Sequence, residues 1–197
     1  FLYYIYYTKV GSWKSGLTAN ITSQAGGSVY VPEADISNVN RIFSSRLSYN
    51  KGAMVVNMLR YKLGDTHFFQ GMKNYLMDTN LAYKYAQSSD LKYHLETVSG
   101  LSLTEFFNDW VYGQGYPTYQ FQVVNLGNNQ AKITVNQSQS HSSVSFFEMP
   151  VPLRLFGTNG QFLDLVLNNT SNNQVFIENV PFTVTSVSFD VEKQLIS

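Results

Sequence analysis

The three histidines, His67, His94 and His141, are the residues that most readily suggest metal chemistry, because the sequence contains no cysteine to act as a ligand or a nucleophile. A zinc site needs several ligands that converge, with carboxylates or further histidines completing the set. The three histidines fall on separate predicted elements, and His94 shares a predicted helical face with Leu91 and Leu95. A histidine on such a face is more often at the edge of the core than bound to a metal. We therefore expect this chain to bind no metal and no other cofactor.

A second candidate for chemistry is the phenol of Tyr49, which is followed closely by Lys51 and Gly52. A phenol is a neutral hydrogen-bond donor that can stabilise negative charge developing on a carbonyl oxygen. The chain has 14 tyrosines, and any one of them is more often part of the core or the surface, so the residue type alone leaves the role of Tyr49 open. Lys51 is predicted to be a structural polar residue in the first turn of a helix. Gly52 is predicted where a helix packs too closely for a side chain.

A helical first part is predicted to position these residues. Nearly every position between Tyr49 and Leu63 is apolar or small, which favours a helix buried on most sides, and Gly64 is expected to end it. Two amphipathic helices follow, each with a single apolar face at helical spacing. The faces carry Phe68, Phe69, Met72, Tyr75 and Leu76 in the first of these helices and Leu103, Phe106, Phe107, Trp110 and Val111 in the second.

Capping residues predict where the helices begin and end. Ser102 and Glu105 are spaced as in a capping box, in which each side chain satisfies a free backbone N–H at the start of a helix. Another helix is expected to begin at Ser89 as its N-cap and to end at Gly100, where a left-handed residue is favoured. Residues 26–48 contain Gly, Pro, Ser and Asn without clear periodicity and are predicted to form a loop-rich connection.

The hydrophobic pattern changes from helical to alternating at Gly113–Pro117, where the proline also disfavours helix in the residue before it. Beyond this point about six short alternating segments are separated by turn residues, including Gly127–Asn129 and the pair Asn159 and Gly160. This spacing is typical of an antiparallel sandwich. We therefore predict an α+β protein in which a mostly α-helical lobe, residues 1–115, precedes a small antiparallel β-sandwich, residues 116–197.

Composition narrows the classes of function. The 197 residues carry 13 basic and 13 acidic side chains, so the formal charge is zero and no basic patch favours nucleic acid. No apolar run approaches the roughly 20 residues that span a bilayer, so no membrane span is expected. A surface of neutral polar residues is common in exported bacterial proteins and favours a secreted, periplasmic or cell-surface location. Phe1–Tyr7 has the pattern of the middle of a helix, so we expect a fragment boundary there, with any targeting signal upstream.

Four segments resemble, in the same order, segments of the aminopeptidase N family of zinc metallopeptidases, which is of the gluzincin type. Tyr49–Arg60 is similar to the family's Tyr-x-Lys-Gly-Ala segment, and Leu63–Gly71 is similar to its Leu-Gly-Asp-x-x-Phe-Phe-x-Gly segment. Ser99–Val111 resembles the Ser-Gly-x-x-Leu-x-x-Phe-Phe-x-x-Trp element, and Gly113–Pro117 resembles the Gly-Tyr-Pro exit into a β-domain. Four such motifs in register are hard to produce by chance.

The resemblance implies the back half of a thermolysin-like catalytic domain, followed by the sandwich, in an enzyme that removes the N-terminal residue from a peptide substrate. It also implies that Tyr49 donates a hydrogen bond to the oxyanion formed when zinc-bound water attacks the scissile carbonyl. The family's His-Glu-x-x-His segment, its downstream zinc-ligating Glu and its Gly-Ala-Met-Glu-Asn segment are missing from this sequence, and in the family all of them lie upstream. We therefore expect a C-terminal portion that is inactive alone and can self-associate through its truncated face, with zinc bound only in the full-length enzyme.

Two other functions stay open at this point. A binding or structural module would use the helices and the sandwich only to present a surface, and the aromatic run of Tyr3, Tyr4, Tyr6 and Tyr7 could then stack on carbohydrate. Such a run is more often a helix packed in a larger domain. An epoxide hydrolase related to the same family would also carry the tyrosine motif. Assay of the full-length protein on amino-acid anilides separates the aminopeptidase from the epoxide hydrolase.

Overall fold

The computed structural model describes the backbone of residues 2–197 and the side chains from residue 9 onward. The first helix, α1, runs from Leu2 to Ile21, as the helical pattern at the start of the sequence predicts. The side chains of the aromatic run predicted to pack inside a larger domain lie outside the described residues. None of the described helices is both long and apolar enough to cross a membrane.

Helices form the first part of the described chain. After α1 come α2 (Val39–Ile42), α3 (Gly52–Met77), α4 (Ser88–Ser99) and α5 (Thr104–Phe107). Two wider, π-helical turns precede α3 and follow α5, at Ser45–Lys51 and Asn108–Tyr112. The predicted loop-rich connection, residues 26–48, therefore contains α2, a 3₁₀ turn at Glu33–Asp35 and the start of the first π-helical turn.

Helix α3 continues beyond Gly64, where the sequence predicts an end. Gly64 interrupts the helical backbone with φ 73° and ψ 159°, a conformation that suits glycine, and the helix resumes directly after it. Phe68 is buried, but Phe69 and Leu76 are 53% and 67% exposed. Neighbouring residues on a helix point about 100° apart, so Phe68 and Phe69 cannot both face the core. The predicted helix end is therefore a kink, and the predicted apolar face is only partly right.

The predicted start of α4 is wrong by two residues, because a different pair of side chains supplies the capping bonds. The helix begins after Gln87 rather than at Ser89, and the backbone N–H of Gln87 donates to Asp90 Oδ2 at 2.7 Å in a capping box. The predicted end is right, since Gly100 adopts the left-handed conformation with φ 69°.

The capping box predicted for α5 is also absent. The N-cap is Leu103, without a side-chain bond, and its backbone N–H donates to Glu96 Oε1 of α4 at 2.6 Å. A side chain from another helix thus takes the place of the predicted pair, Ser102 and Glu105. The predicted apolar face of this segment is confirmed, because all five of its members are buried: Leu103, Phe106, Phe107, Trp110 and Val111.

Six strands follow the helices in the described chain and form two antiparallel three-stranded sheets. They are β1 (Pro117–Gly127), β2 (Gln130–Gln139), β3 (Met149–Phe156), β4 (Phe162–Asn169), β5 (Gln174–Asn179) and β6 (Ser186–Phe189). One sheet has the order β1-β2-β5 and the other β4-β3-β6. The predicted turns are confirmed by positive φ at Asn128 and Asn129 before β2 and at Asn159 before β4. The α+β class, with antiparallel strands after the helices, is confirmed as well.

One apolar core lies between the two sheets. Alternate residues of β2 and β3 are buried in the same cluster, together with a residue of β4: Ala131, Ile133, Val135, Val151, Leu153, Leu155 and Leu167. Because β2 and β3 belong to different sheets, the inner faces of both sheets pack against each other.

A second core lies among the helices and draws side chains from the later part of the chain. Met54 and Met58 of α3 and Trp110 are fully buried there, together with Phe147, just before β3, and Met149, its first residue. The Trp110 and Phe147 rings lie 4.6 Å apart between centroids. The division of the chain into two domains between residues 115 and 116 stays a prediction.

A turn at Asp190 brings the last residues of the chain into the helical core. Asp190 Oδ1 and Oδ2 accept hydrogen bonds from the backbone N–H groups of Gln194 at 2.7 Å and Leu195 at 2.8 Å. Asn57 Nδ2 of α3 donates to the Gln194 carbonyl oxygen at 2.9 Å. As a result, Leu195 and Ile196 are 3% and 0% exposed.

The close packing of α3 on α4 at Gly71 can be tested by adding one methyl group. A Cβ at Gly71 would lie 2.7 Å from Leu95 Cδ2 and 3.2 Å from Leu95 Cα. We expect Gly71→Ala to lower the free energy of unfolding by about 1–3 kcal/mol, because the two helices must move apart. Urea unfolding measures this change.

The matched control is Gly16→Ala in α1, where nothing lies within 4 Å of an added Cβ. Alanine there should raise the free energy of unfolding by about 0.5–1 kcal/mol through its higher helix propensity. A Gly71→Ala protein as stable as the unchanged chain would contradict the close approach of the two helices.

Candidate active site around Tyr49

The first π-helical turn carries Tyr49 just before α3 begins. Ser44 caps this turn: its hydroxyl accepts from the N–H of Leu47 at 3.2 Å, and its carbonyl oxygen accepts from the N–H of Tyr49 at 3.2 Å. A π-helical turn is wider than an α-helical one and is frequent at functional sites. The Tyr49 side chain is 57% exposed, and within the described part of the chain its hydroxyl has no hydrogen-bond partner. The phenol is therefore available to a ligand.

Lys51, on the same turn, points into the protein and is only 1% exposed. Its ammonium donates to the carbonyl oxygens of Gly27 at 2.8 Å and Gly115 at 3.1 Å. The predicted position in the first turn of a helix is close to the observed one, but the burial is not predicted. Burial, with the nearby charge of Arg46 adding to it, lowers the pKa of Lys51 to about 8.

The close backbone contact predicted at Gly52 is found elsewhere. A Cβ at Gly52 would lie 3.9 Å from Val29, which is an ordinary packing distance, so that prediction is wrong. The tight position is Gly27, whose φ is +106° and where a Cβ would lie 2.6 Å from Leu47 and 2.9 Å from Arg46. The loop after α1 therefore presses against the inner side of the π-helical turn.

Arg46 lies on the same inner side of the turn as Lys51. Its guanidinium Nη1 donates to the carbonyl oxygen of Ile21, the last residue of α1, at 3.1 Å and to that of Gly26 at 3.0 Å. A cation at the carbonyl end of a helix is favoured by the helix dipole. Neither Arg46 nor Lys51 forms a salt bridge with a carboxylate within the described residues.

A third cation, Arg41, holds the next stretch of the same loop. Its Nη2 donates to the carbonyl oxygens of Ser28 at 2.8 Å and Tyr30 at 2.6 Å, and its Nη1 donates to Ser48 Oγ at 3.3 Å. The Tyr30 ring in turn packs edge-on against Tyr112, with 5.4 Å between ring centroids. The loop of residues 26–30 is thus fixed on one side by basic side chains and on the other by an aromatic contact.

Sequence reasoning misses this group, which we call the cation cluster: Arg41, Arg46 and Lys51. Its sequence signal is the regular spacing of one basic residue in every five. That spacing follows the period of neither an α-helix nor a strand, so it does not indicate that the three side chains lie together. Arg46 and Lys51 lie on the first π-helical turn, whereas Arg41 lies on α2.

The structure keeps the three histidines on separate elements, and each bonds locally. His94 Nε2 lies 3.1 Å from Asp78 Oδ2, His67 Nδ1 donates to the Leu63 carbonyl oxygen at 3.2 Å, and His141 Nδ1 accepts from the N–H of Ser143 at 3.1 Å. Among the residues from 9 onward, no three His, Asp or Glu side chains are grouped so that they could hold a metal ion.

A buried carboxyl that sequence reasoning misses lies in the second π-helical turn. Asp109 is 5% exposed, and its Oδ2 accepts a long hydrogen bond of 3.4 Å from the N–H of Glu148. Burial, with the charge of Glu105 adding to it and the bond from the Glu148 N–H opposing it, raises the pKa of Asp109 to about 7. The sequence signal is an acidic residue directly beside Trp110 in an apolar run. Asp109 lies apart from the Tyr49 turn in the chain, and nothing in its surroundings assigns it a catalytic role.

Known proteins match the part of the chain that holds Tyr49 and the cation cluster. The Peptidase family M1 domain matches residues 18–110. Tricorn protease-interacting factor F2 of Thermoplasma volcanium is 27% identical over 175 residues, which are 82% of this chain and 22% of that protein. Aminopeptidase N of Lactococcus lactis is 32% identical over 97 residues, 49% of this chain and 11% of that protein. Aminopeptidase M1-A of Oryza sativa is 34% identical over 113 residues, 56% of this chain and 12% of that protein.

A solved structure shares the fold. Aminopeptidase A of Legionella pneumophila, in complex with aspartic acid, matches this chain with a TM-score of 0.62 and 16% sequence identity, over 80% of this chain and 18% of that one. Residues 18–110, a little under half of the chain, match the M1 family of peptidases, and aminopeptidases are among the proteins similar to the chain. The resemblance to the aminopeptidase N family is thereby confirmed. The chain spans 11% to 22% of the length of the three curated relatives named above.

The stability of this fold should depend on pH through Asp109. Its folded-state pKa of about 7 lies above the ordinary value of 3.8, so the folded protein binds the proton more tightly than the unfolded chain. The charged carboxyl therefore destabilises the fold fully above pH 7, and this effect disappears as the pH falls towards 3.8. We expect Asp109→Asn to raise the free energy of unfolding by about 1–3 kcal/mol at pH 8 and to change it little at pH 4.

Chemical denaturation of both proteins between pH 4 and pH 8 measures this difference. Glu33→Gln removes an exposed carboxylate and serves as the control for a simple change of net charge. A free energy of unfolding that varies with pH in parallel for Asp109→Asn and the unchanged chain would show that Asp109 does not carry the effect.

Proposed function

We propose that this chain is part of a zinc-dependent aminopeptidase, in which Tyr49 acts on the carbonyl group of the peptide bond that is cut. The observation that carries the proposal is the exposed Tyr49 phenol on a capped π-helical turn, inside the segment that matches the M1 family. The relatives from Lactococcus lactis and Oryza sativa are named aminopeptidases, which supports the N-terminal residue of a peptide as the substrate.

The role proposed for Tyr49 requires a hydrogen-bond donor held in a fixed direction. Cleavage of a peptide bond by water places negative charge on the carbonyl oxygen, and a donor aimed at that oxygen lowers the barrier. The Tyr49 hydroxyl supplies such a donor without gaining or losing charge. Its backbone is held at one end by the Ser44 cap and at the other by the bonds of Lys51. A donor that is already in place does not have to reorganise when the charge appears.

We place the zinc ligands of this proposed enzyme outside these 197 residues. The residues that the structure describes do not fit a zinc ion, because they bring no three histidines or carboxylates together. His94 is paired with Asp78, and His67 and His141 bond to nearby backbone groups. The contribution proposed for this chain is therefore limited to its own groups, of which Tyr49 is the one that meets the substrate.

The role of Tyr49 is tested by removing its hydroxyl in the complete protein. We expect Tyr49→Phe to lower kcat on amino-acid anilides by about a hundredfold or more, because one oxyanion donor is lost. KM should change much less, since the bond strengthens in the transition state rather than in the bound substrate. The hydroxyl has no described partner, so the stability of the fold should not change.

The control for this experiment is Tyr93→Phe on α4, because the Tyr93 side chain is 64% exposed, close to the 57% of Tyr49. Its turnover should equal that of the unchanged enzyme. If Tyr49→Phe kept more than half of normal turnover, the proposed role would be wrong.

A second test concerns residues 1–197 alone. We expect the purified chain to retain no stoichiometric zinc after dialysis and to hydrolyse no amino-acid anilide, because a catalytic zinc site needs three convergent protein ligands. Metal analysis by mass spectrometry measures the zinc content. One zinc per chain, held against a weak chelator, would contradict the placement of the ligands elsewhere.

A further inference from the structure

The ammonium of Lys51 is buried in an unusual way. It is 1% exposed, and its hydrogen bonds run to two backbone carbonyl oxygens rather than to a carboxylate. Buried charges in proteins are as a rule paired with an opposite charge, because removing an ion from water is unfavourable. The two carbonyl groups are therefore what compensates the buried charge of Lys51.

The two carbonyl groups that Lys51 holds belong to segments far apart in the sequence. Gly27 lies in the loop after α1, and Gly115 lies just before β1. Both glycines have positive φ, +106° and +87°, and both are packed too tightly for a Cβ: the nearest atoms would be 2.6 Å away, on Leu47 and Ser140. Lys51 therefore ties the π-helical turn to two backbone segments that have little room to move.

Tyr49 lies between Arg46 and Lys51 in the same seven-residue turn, Ser45–Lys51. Arg46 points inward to the carbonyl oxygens of residues 21 and 26, and Lys51 points inward to those of residues 27 and 115. Tyr49, in contrast, is more than half exposed. A rotation or shift of the turn that moved the phenol would therefore also break the bonds of the ammonium. The position of the Tyr49 backbone and the bonds of Lys51 are therefore linked through the turn.

We propose that Lys51 is a positioning residue for Tyr49, whose ammonium holds the Gly27 and Gly115 carbonyl groups and thereby fixes the turn from which the phenol projects. This inference rests on the role proposed above for Tyr49. Lys51 itself does not meet the substrate in this assignment. Methionine has nearly the same length and shape, so Lys51→Met would keep the apolar contacts of the side chain and lose the two hydrogen bonds.

Fluorine NMR of the chain labelled with 3-fluorotyrosine tests this coupling without any assay of activity. The Tyr49 resonance is identified by its loss in Tyr49→Phe. In Lys51→Met we expect that resonance to shift or broaden, while the resonance of Tyr85, which is fully exposed at 101%, stays in place. Lys51→Arg keeps a cationic donor and should move the Tyr49 resonance less. Lys92→Met, which removes an ammonium from α4, is the control and should leave Tyr49 unchanged.

Kinetics of the complete protein give the second measurement. Lys51→Met should lower kcat by up to about a hundredfold with little change in KM, as expected when a reacting group is displaced by about 1 Å. Lys51→Arg should recover part of this loss, and Lys92→Met should lose nothing.

Three outcomes would overturn the inference. The Tyr49 resonance could be the same in Lys51→Met and the unchanged chain. The resonances of Tyr49 and Tyr85 could instead move together, as on general unfolding, which would make Lys51 a structural residue only. Lastly, Lys51→Met could keep normal turnover while Tyr49→Phe loses it. Normal turnover in Tyr49→Phe is a different result, because it overturns the proposed function whatever Lys51 does.

Discussion

The packing of Trp110 against Phe147 holds the helical part of the chain against the segment that leads into β3. The two rings are fully buried and lie 4.6 Å apart, with Trp110 at the end of the helical run and Phe147 just before β3. Full burial of one such side chain contributes about 1.5–3 kcal/mol. Met54 and Met58 of α3 pack in the same core, so the helix that follows Tyr49 is buried partly by residues from the sheet side. The bond from Lys51 reaches the Gly115 carbonyl, just before β1 begins at Pro117.

Elements defined by local patterns could be predicted from the sequence. Alternating apolar residues and positive-φ turn residues such as Asn128 and Asn159 indicate the strands, and Gly100 marks the end of α4. Elements decided by distant neighbours could not be predicted. The helix resumes after Gly64 and packs on α4 at Gly71, and the N–H of Leu103 is satisfied by a glutamate from another helix. Turn and capping residues close to an element in the sequence do not indicate such distant partners.

The residues of the candidate site also differ in whether the sequence indicates their role. Tyr49 can be singled out only through its resemblance to a family motif, since a phenol among 14 tyrosines carries no local sign of chemistry. The burial of Lys51 depends on carbonyl groups 24 and 64 residues away in the chain, and the burial of Asp109 depends on its contact with the segment before β3. Neither contact produces a periodic pattern of residues in the sequence. Both residues lie on π-helical turns, which hydrophobic periodicity at 3.6 or 2 residues does not detect.

Leu195 and Ile196 belong to the core around α3, yet among the described residues of that core they are the last to leave the ribosome. At usual elongation rates of roughly 5–20 residues per second, α3 waits on the order of ten seconds for these side chains. During that interval part of its apolar face is uncovered, which is the state that chaperones bind and that aggregates. The Asp190 turn then brings the final residues onto α3. The helical core is thus begun when α3 is made and completed only after the strands have been made.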